Sequence, residues 1–81
     1  MNAVELTKFL IGNIVKEPDM VSVKEFEDDT DTVTIQVLVD EEVIGSVIGK
    51  GGIIANAIRT IVQASSYANN GKRVKINIES F

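Results

Sequence analysis

The chain has 81 residues, no cysteine, histidine or tryptophan, and a formal net charge of −4. Its length predicts one domain, and its 44% hydrophobic residues allow a core without disulfides. The missing cysteine and histidine exclude thiol nucleophiles, Ser-His-Asp triads and the usual zinc sites, while the acidic balance argues at first sight against nucleic-acid binding, because phosphate repels a negative chain.

The N-terminal part of the chain predicts a helix followed by a strand. Apolar residues at helical spacing run from about Ala3 to Lys16, and Glu17-Pro18-Asp19 ends this helix, because the residue before proline disfavours the α region. Val21 to Glu27 predicts a strand in which Phe26 breaks the alternation, indicating a bulge or an early end. We expect Phe9 and Phe26 to lie in the core.

The middle of the chain predicts a hairpin and a short helix. Glu27 to Asp31 is typical of a polar turn, and Val33 stands where an EF-hand loop would need a ligand. Thr32 to Val39 alternates apolar and polar residues and pairs with the first strand as an antiparallel hairpin. Asp40-Glu41-Glu42 suits the start of a helix over Val43 to Ile48, where carboxylates meet the positive end of the dipole.

The C-terminal part predicts a longer helix and a last strand. Gly49-Lys50-Gly51-Gly52 interrupts the helical pattern, which resumes from about Ile53 to Ala68. Asn69-Asn70-Gly71 ends that helix, and Lys72 to Glu79 alternates as a strand. The predicted order is α-β-β-α-α-β, an α+β fold with a three-stranded sheet and three helices packed on one face.

The sequence predicts no membrane segment. No stretch reaches the roughly 18 apolar residues that a membrane span needs. The apolar run from Phe9 to Val15 contains Gly12 and Asn13 and lacks both a basic leader and a small-residue cleavage site. We therefore expect a cytoplasmic protein.

The glycine segment between the two C-terminal helices is the candidate site. Backbone N–H groups at the start of the second helix attract phosphate, and glycines let a sugar-phosphate backbone approach closely. Lys50 adds a positive charge at the tip. The spacing fits neither a Walker A loop nor a dinucleotide fingerprint, which would need glycine in place of Ile54. The alternative is an ordinary connection between two helices.

Residues 43–60, which read VIGSVIGKGGIIANAIRT, resemble the signature of KH domains. The resemblance is to the small bacterial single-KH proteins of the KhpA family, whose signature runs approximately G-K-V-I-G-K-x-G-R-x-A-K-A-I-R-T. The element order is similar to the type II KH arrangement, so the likeness covers nearly the whole chain. It implies one KH domain over residues 1–81: a cytoplasmic, non-enzymatic protein without cofactor or metal that binds single-stranded RNA.

The resemblance also implies which residues bind RNA. The backbone clamp falls on Gly49, Lys50, Gly51 and Gly52. The residues on the side of the base-binding groove are Val47, Ile48, Ile54, Ala55 and Ile58, and Arg59 matches the family's arginine beyond the loop. Ser46, Ile53 and Asn56 stand where the family commonly has Lys, Arg and Lys. These departures remove positive charge beside the clamp, so we expect weaker RNA binding.

The charge is divided unevenly along the chain. Residues 1–42 hold eleven acidic and three basic residues, a net −8, whereas residues 43–81 hold five basic and one acidic residue, a net +4. Lys72, Arg73 and Lys75 either discourage edge aggregation or extend a basic RNA surface, and the sequence does not decide between these roles. The acidic net charge therefore does not exclude RNA binding. It leads us to expect binding that is local and sensitive to salt.

The resemblance further implies a role and partners. A KhpA-like protein is expected to act as a post-transcriptional regulator or RNA chaperone, as a homodimer or together with a KhpB-like partner. The alternative is a protein-interaction or dimerisation module with a KH fold and little RNA affinity of its own.

Overall fold

The computed structural model describes residues 1–69 and 71–81 and has the expected order of elements. The regular elements are α1 (Ala3–Gly12), β1 (Ser22–Glu27), β2 (Thr32–Val39), α2 (Ile44–Ile48), α3 (Ile53–Asn69) and β3 (Arg73–Ser80). Short 3-10 turns occupy Pro18–Met20 and Lys50–Gly52. Asn70, part of the predicted helix stop, lies outside the described residues.

The three strands form one mixed sheet in the order β1-β2-β3. β1 pairs antiparallel with β2, and β2 pairs parallel with β3. Parallel neighbours need a crossover connection, and the α2–α3 pair supplies it, together with the glycine segment between the helices. The predicted α+β class is confirmed.

The core lies between the sheet and the helices. Alternate residues of β2 are buried, as the strict alternation in the sequence predicts. The other core residues come from all three helices and from β3, so the helices cover one face of the sheet, as predicted. The core cluster is Ile11, Ile35, Val37, Val39, Val47, Ile58, Val62 and Ile76. In the described part of the chain, no helix is long and apolar enough to span a membrane.

Helix α1 is shorter than predicted, and its buried residues are Thr7 and Ile11. It begins with a capping box, in which the Asn2 side chain accepts from the Glu5 amide at 2.8 Å. It ends at Gly12 because Gly12 and Asn13 are poor helix formers, and the Nδ2 atom of the Asn13 side chain donates to the carbonyl oxygen of Phe9 at 2.7 Å. The expectation that Phe9 lies in the core is wrong, since this side chain is 56% exposed.

Strand β1 has no bulge. It pairs in continuous register with β2 from Ser22, opposite Leu38, to Glu27, opposite Val33. Phe26 breaks the alternation because it lies on the face of the sheet away from the helices, opposite Thr34. The expectation that Phe26 lies in the core is therefore also wrong, and 49% of this residue is exposed.

Aspartates shape the two acidic turns. The Asp29 carboxylate accepts from the backbone amides of Asp31 and Thr32, each at 2.8 Å, and so closes the predicted hairpin turn. The Asp40 carboxylate accepts from the Glu42 amide at 2.9 Å in the turn before α2. Helix α2 starts only at Ile44, so Asp40 organises the turn and does not cap the helix with its side chain.

Candidate nucleic-acid interface

The glycine segment forms a tight turn between α2 and α3. Gly49 adopts φ 77° and ψ 169°, a backbone conformation that is essentially limited to glycine. A Cβ atom at this position would lie 2.4 Å from Cγ1 of Ile54, far inside contact distance. Glycine is therefore required here for both backbone conformation and close approach of the first turn of α3.

The tip of the turn is open. Gly51 adopts φ 64°, and a Cβ atom built on it would meet nothing within 4 Å. Lys50 and Gly51 are both exposed. In the described residues, 1–69 and 71–81, the backbone amides of Lys50 and Gly51 do not donate to a side chain. They also do not donate to a backbone carbonyl in a turn or loop. The tip of the turn thus has open space beside Gly51 that a ligand could occupy.

Hydrogen bonds on either side of the tip fix the turn. The Gly49 amide donates to the carbonyl oxygen of Gly45 at 2.9 Å and closes the last turn of α2. The Gly52 amide donates to the carbonyl oxygen of Gly49 at 3.0 Å, and the Ile53 amide donates to that of Lys50. Lys50 and Gly51 therefore sit on a framework held at both ends.

The apolar residues predicted for the groove divide into two sets. Val47, Ala55 and Ile58 are at most 3% exposed. Their side chains belong to the core. Ile48 and Ile54 are only partly buried and flank the turn at its surface. Apolar contact with a ligand at this turn is therefore available from Ile48 and Ile54.

Arg59 lies on the exposed side of α3 next to β3. Its Nε atom donates to the carbonyl oxygen of Ile76 at 3.2 Å, and its Nη1 atom donates to Oδ1 of Asn56 at the same distance. Arg59 lies about 9 Å along the helix axis from Ile53, the first residue of α3. The two hydrogen bonds hold the guanidinium at the edge of the sheet, and Asn56, one of the three departures from the family pattern, is one of its partners.

A shallow, open groove that the sequence does not predict runs between α3 and β3. Its lining residues are Arg59, Thr60, Gln63, Ala64, Tyr67 and Val74. The Nε2 atom of Gln63 donates to the carbonyl oxygen of Lys72 at 3.2 Å, and its Oε1 atom accepts from the backbone N–H of Val74 at 2.9 Å. The Gln63 side chain therefore bonds the outer edge of β3 as a neighbouring strand would. The sequence does contain one indication of this groove. Residues four apart lie on one helix face, and this spacing relates Arg59, Gln63 and Tyr67.

The architecture matches solved structures that carry this fold. The chain superposes on a point variant of Era from Aquifex aeolicus, bound to GDP.AlF4-, with a TM-score of 0.76 and 19% identity, over 98% of this chain and 30% of that one. Era in complex with MgGDPNP and nucleotides 1506–1542 of 16S ribosomal RNA matches with a TM-score of 0.70 and 22% identity, over 96% of this chain and 29% of that one. At these identities the likeness establishes the fold alone.

Sequence comparison gives relatives that this chain matches over most of their length. The chain is 40% identical to the RNA-binding protein KhpA of Caldanaerobacter subterraneus subsp. tengcongensis, over 91% of this chain and 96% of the relative. It is 38% identical to that of Listeria monocytogenes serovar 1/2a, over 91% and 95% of the two chains. For the protein of the same name from Borreliella burgdorferi the identity is 32%, over 95% and 92%.

A family model agrees with these relatives. The model of the KhpA/KhpB KH domain matches residues 4–78. This range covers all the helices and strands except the first residue of α1 and the last two residues of β3. The glycine turn lies in the middle of the matched region. The chain therefore belongs to the KhpA/KhpB family of KH domains.

Proposed function

We propose that the chain acts as a single, non-catalytic KH domain over residues 1–81 that binds single-stranded RNA at the turn Gly49–Gly52. One observation carries the proposal: Lys50 and Gly51 are exposed at the open tip of a glycine turn that hydrogen bonds hold on both sides. Relatives named RNA-binding protein KhpA, at up to 40% identity among those compared above, support the choice of ligand.

In this proposal the backbone and the bases contact different parts of the site. The amides of Lys50 and Gly51 donate to phosphate oxygens, and the Lys50 ammonium adds charge. Single-stranded recognition by KH domains covers about four nucleotides. The bases lie toward Ile48 and Ile54 and along the groove between α3 and β3, where Arg59 supplies remaining guanidinium donors.

The proposed role is that of a post-transcriptional regulator or RNA chaperone in the cytoplasm. Because few basic residues lie at the site, one domain alone binds weakly. Pairing with a second copy or with a KhpB-like partner raises the apparent affinity through effective concentration, because the second domain binds the same RNA strand.

The test compares RNA affinity of the wild type with that of Lys50→Asp/Gly51→Asp. Acidic side chains at the tip repel phosphate, and we expect affinity to fall by at least about tenfold. The matched control is Asn2→Asp/Lys8→Asp on α1, which changes the net charge equally and keeps a good N-cap residue. Equal binding by the tip variant and the wild type would overturn the assignment.

The exposed side of α3 favours a second candidate function, that of a protein-interaction or dimerisation module. This 17-residue helix contains one charged residue, Arg59, while Ile53 is 65% and Ile61 47% exposed. Exposed apolar helix faces mark association surfaces. The test is light scattering of Ile61→Lys beside Met20→Lys, which changes another half-exposed apolar residue. This candidate requires a complex that Ile61→Lys alone disrupts, and a concentration-independent monomer contradicts it.

A further inference from the structure

The face of the sheet that the helices leave open carries a row-by-row arrangement of polar, basic and aromatic residues. Strand register brings the side chains of these rows together on that face. From one end of the sheet to the other the rows are Thr32–Arg73, Phe26–Thr34–Lys75, Lys24–Gln36–Asn77 and Ser22–Leu38–Glu79.

Side chains alternate between the two faces of a strand, and the basic residues of β1 and β3 lie on the open face. In β1, Lys24 and Phe26 point to the open face, whereas Glu25 and Glu27 point to the other face of the sheet. In β3, Arg73 and Lys75 share the open face with the single acid Glu79. Three of the eight basic residues of a chain with net charge −4 thus lie together.

These charges are available to a ligand. The nearest acids of the hairpin include Asp28, whose carboxylate accepts from the hydroxyl group of Thr34. Within residues 1–69 and 71–81, no carboxylate lies within 4.0 Å of the charged nitrogens of Lys24, Arg73 or Lys75.

Phe26 gives the open face a stacking surface. The residue is 49% exposed and lies directly across from Thr34, which is in turn paired with Lys75. Lys24 precedes it by two residues on the same face. An exposed aromatic ring beside cationic side chains on a sheet is the arrangement on which single-stranded nucleic acids stack their bases, because every base has a π-face.

We propose that the open sheet face is a second contact surface for single-stranded RNA, separate from the glycine turn. A base stacks on Phe26 while Lys24, Arg73 and Lys75 contact phosphates. β3 is an edge strand, with the α3–β3 groove on one side and the open face on the other. One RNA strand can therefore leave the groove, pass over β3 and continue on the sheet. The inference takes its ligand class from the proposed function but does not depend on the clamp.

A fluorescence experiment tests the stacking directly. The chain contains no tryptophan, so Phe26→Trp introduces a single reporter at the proposed contact. We expect an oligoribonucleotide about three times longer than the four-nucleotide footprint to quench this fluorescence. Saturating RNA that leaves the Trp emission unchanged would overturn the proposal.

Affinity measurements separate the two surfaces. We expect Phe26→Ser and Lys24→Glu/Lys75→Glu each to weaken binding of the long RNA by about tenfold and to leave binding of a tetranucleotide unchanged. The matched control is Lys8→Glu/Lys16→Glu, which carries the same charge change on and just after α1. Circular dichroism and thermal unfolding check that each variant is folded.

The outcomes distinguish failure of this inference from failure of the proposed function. If only Lys50→Asp/Gly51→Asp weakens the long RNA, the open face is not a contact surface and the clamp stands. If only the sheet variants weaken it, the clamp is wrong and the sheet surface stands. If the Lys8→Glu/Lys16→Glu control weakens it equally, general charge accounts for binding and the inference fails.

Discussion

Gly49 and Ile54 approach so closely that one methyl group at Gly49 would stand 2.4 Å from the Ile54 side chain. The contact brings the residue before the tip against the first turn of α3. It fixes how sharply the chain reverses between α2 and α3, and so where the amides of Lys50 and Gly51 point. The shape of the proposed clamp therefore depends on the absence of one side chain.

We predict that Gly49→Ala destabilises the protein by about 2–3 kcal/mol, because it combines strain at positive φ with overpacking against Ile54. Chemical denaturation measures the change in the free energy of unfolding. Gly45→Ala in α2 is the control: a Cβ at Gly45 meets nothing within 4 Å, and alanine favours the helix by about 0.5–1 kcal/mol. Equal stability of the two variants would refute the close contact.

Gln63 offers a second prediction, because its amide side chain covers the outer edge of β3. Gln63→Ala leaves the Val74 amide without its acceptor, and we expect the stability to fall by about 1–2 kcal/mol. Hydrogen exchange of the Val74 amide should accelerate more than the global loss of stability explains. Gln63→Glu keeps an acceptor oxygen for Val74 but sets a carboxylate oxygen against the Lys72 carbonyl oxygen, so it should restore only part of the slow exchange. Identical exchange in wild type and Gln63→Ala would show that the contact is dispensable.

Salt dependence of RNA binding follows from the small number of charges at the two surfaces. Each phosphate contact to single-stranded RNA contributes about −0.7 to the slope of log K against log salt. We expect Lys50→Gln to make the slope less negative by about this amount. Lys16→Gln, at an exposed position just after α1, should leave the slope unchanged. A slope insensitive to Lys50 would place the phosphate elsewhere.

The strongest sequence patterns predict the structure well. Thr32–Val39 is a strand with the predicted bounds, since its side chains alternate between core and open face without interruption. The glycine turn is identifiable from the flanking helices and its motif. In both cases the signal is local, because the pattern of neighbouring residues within one short segment is enough to predict the structure of that segment.

Sequence patterns fail where tertiary packing decides. Phe9 and Phe26 are expected in the core because aromatic residues bury large areas, but helix α1 turns Thr7 and Ile11 inward, and Phe26 falls on the open face of the sheet. The contact of Gln63 with Lys72 and Val74 joins α3 to β3, and no periodicity within either element reveals it.

The most direct test of the clamp is an NMR titration of the 15N-labelled protein with a single-stranded tetraribonucleotide. Hydrogen bonds to phosphate move the proton resonance of the donating amide downfield, and we predict the largest shifts at Lys50 and Gly51, with smaller ones at Ile48 and Ile54. The same titration of Lys50→Asp/Gly51→Asp should leave the turn unshifted. Saturable RNA binding that leaves the amides of residues 49–54 unperturbed would contradict the proposed clamp.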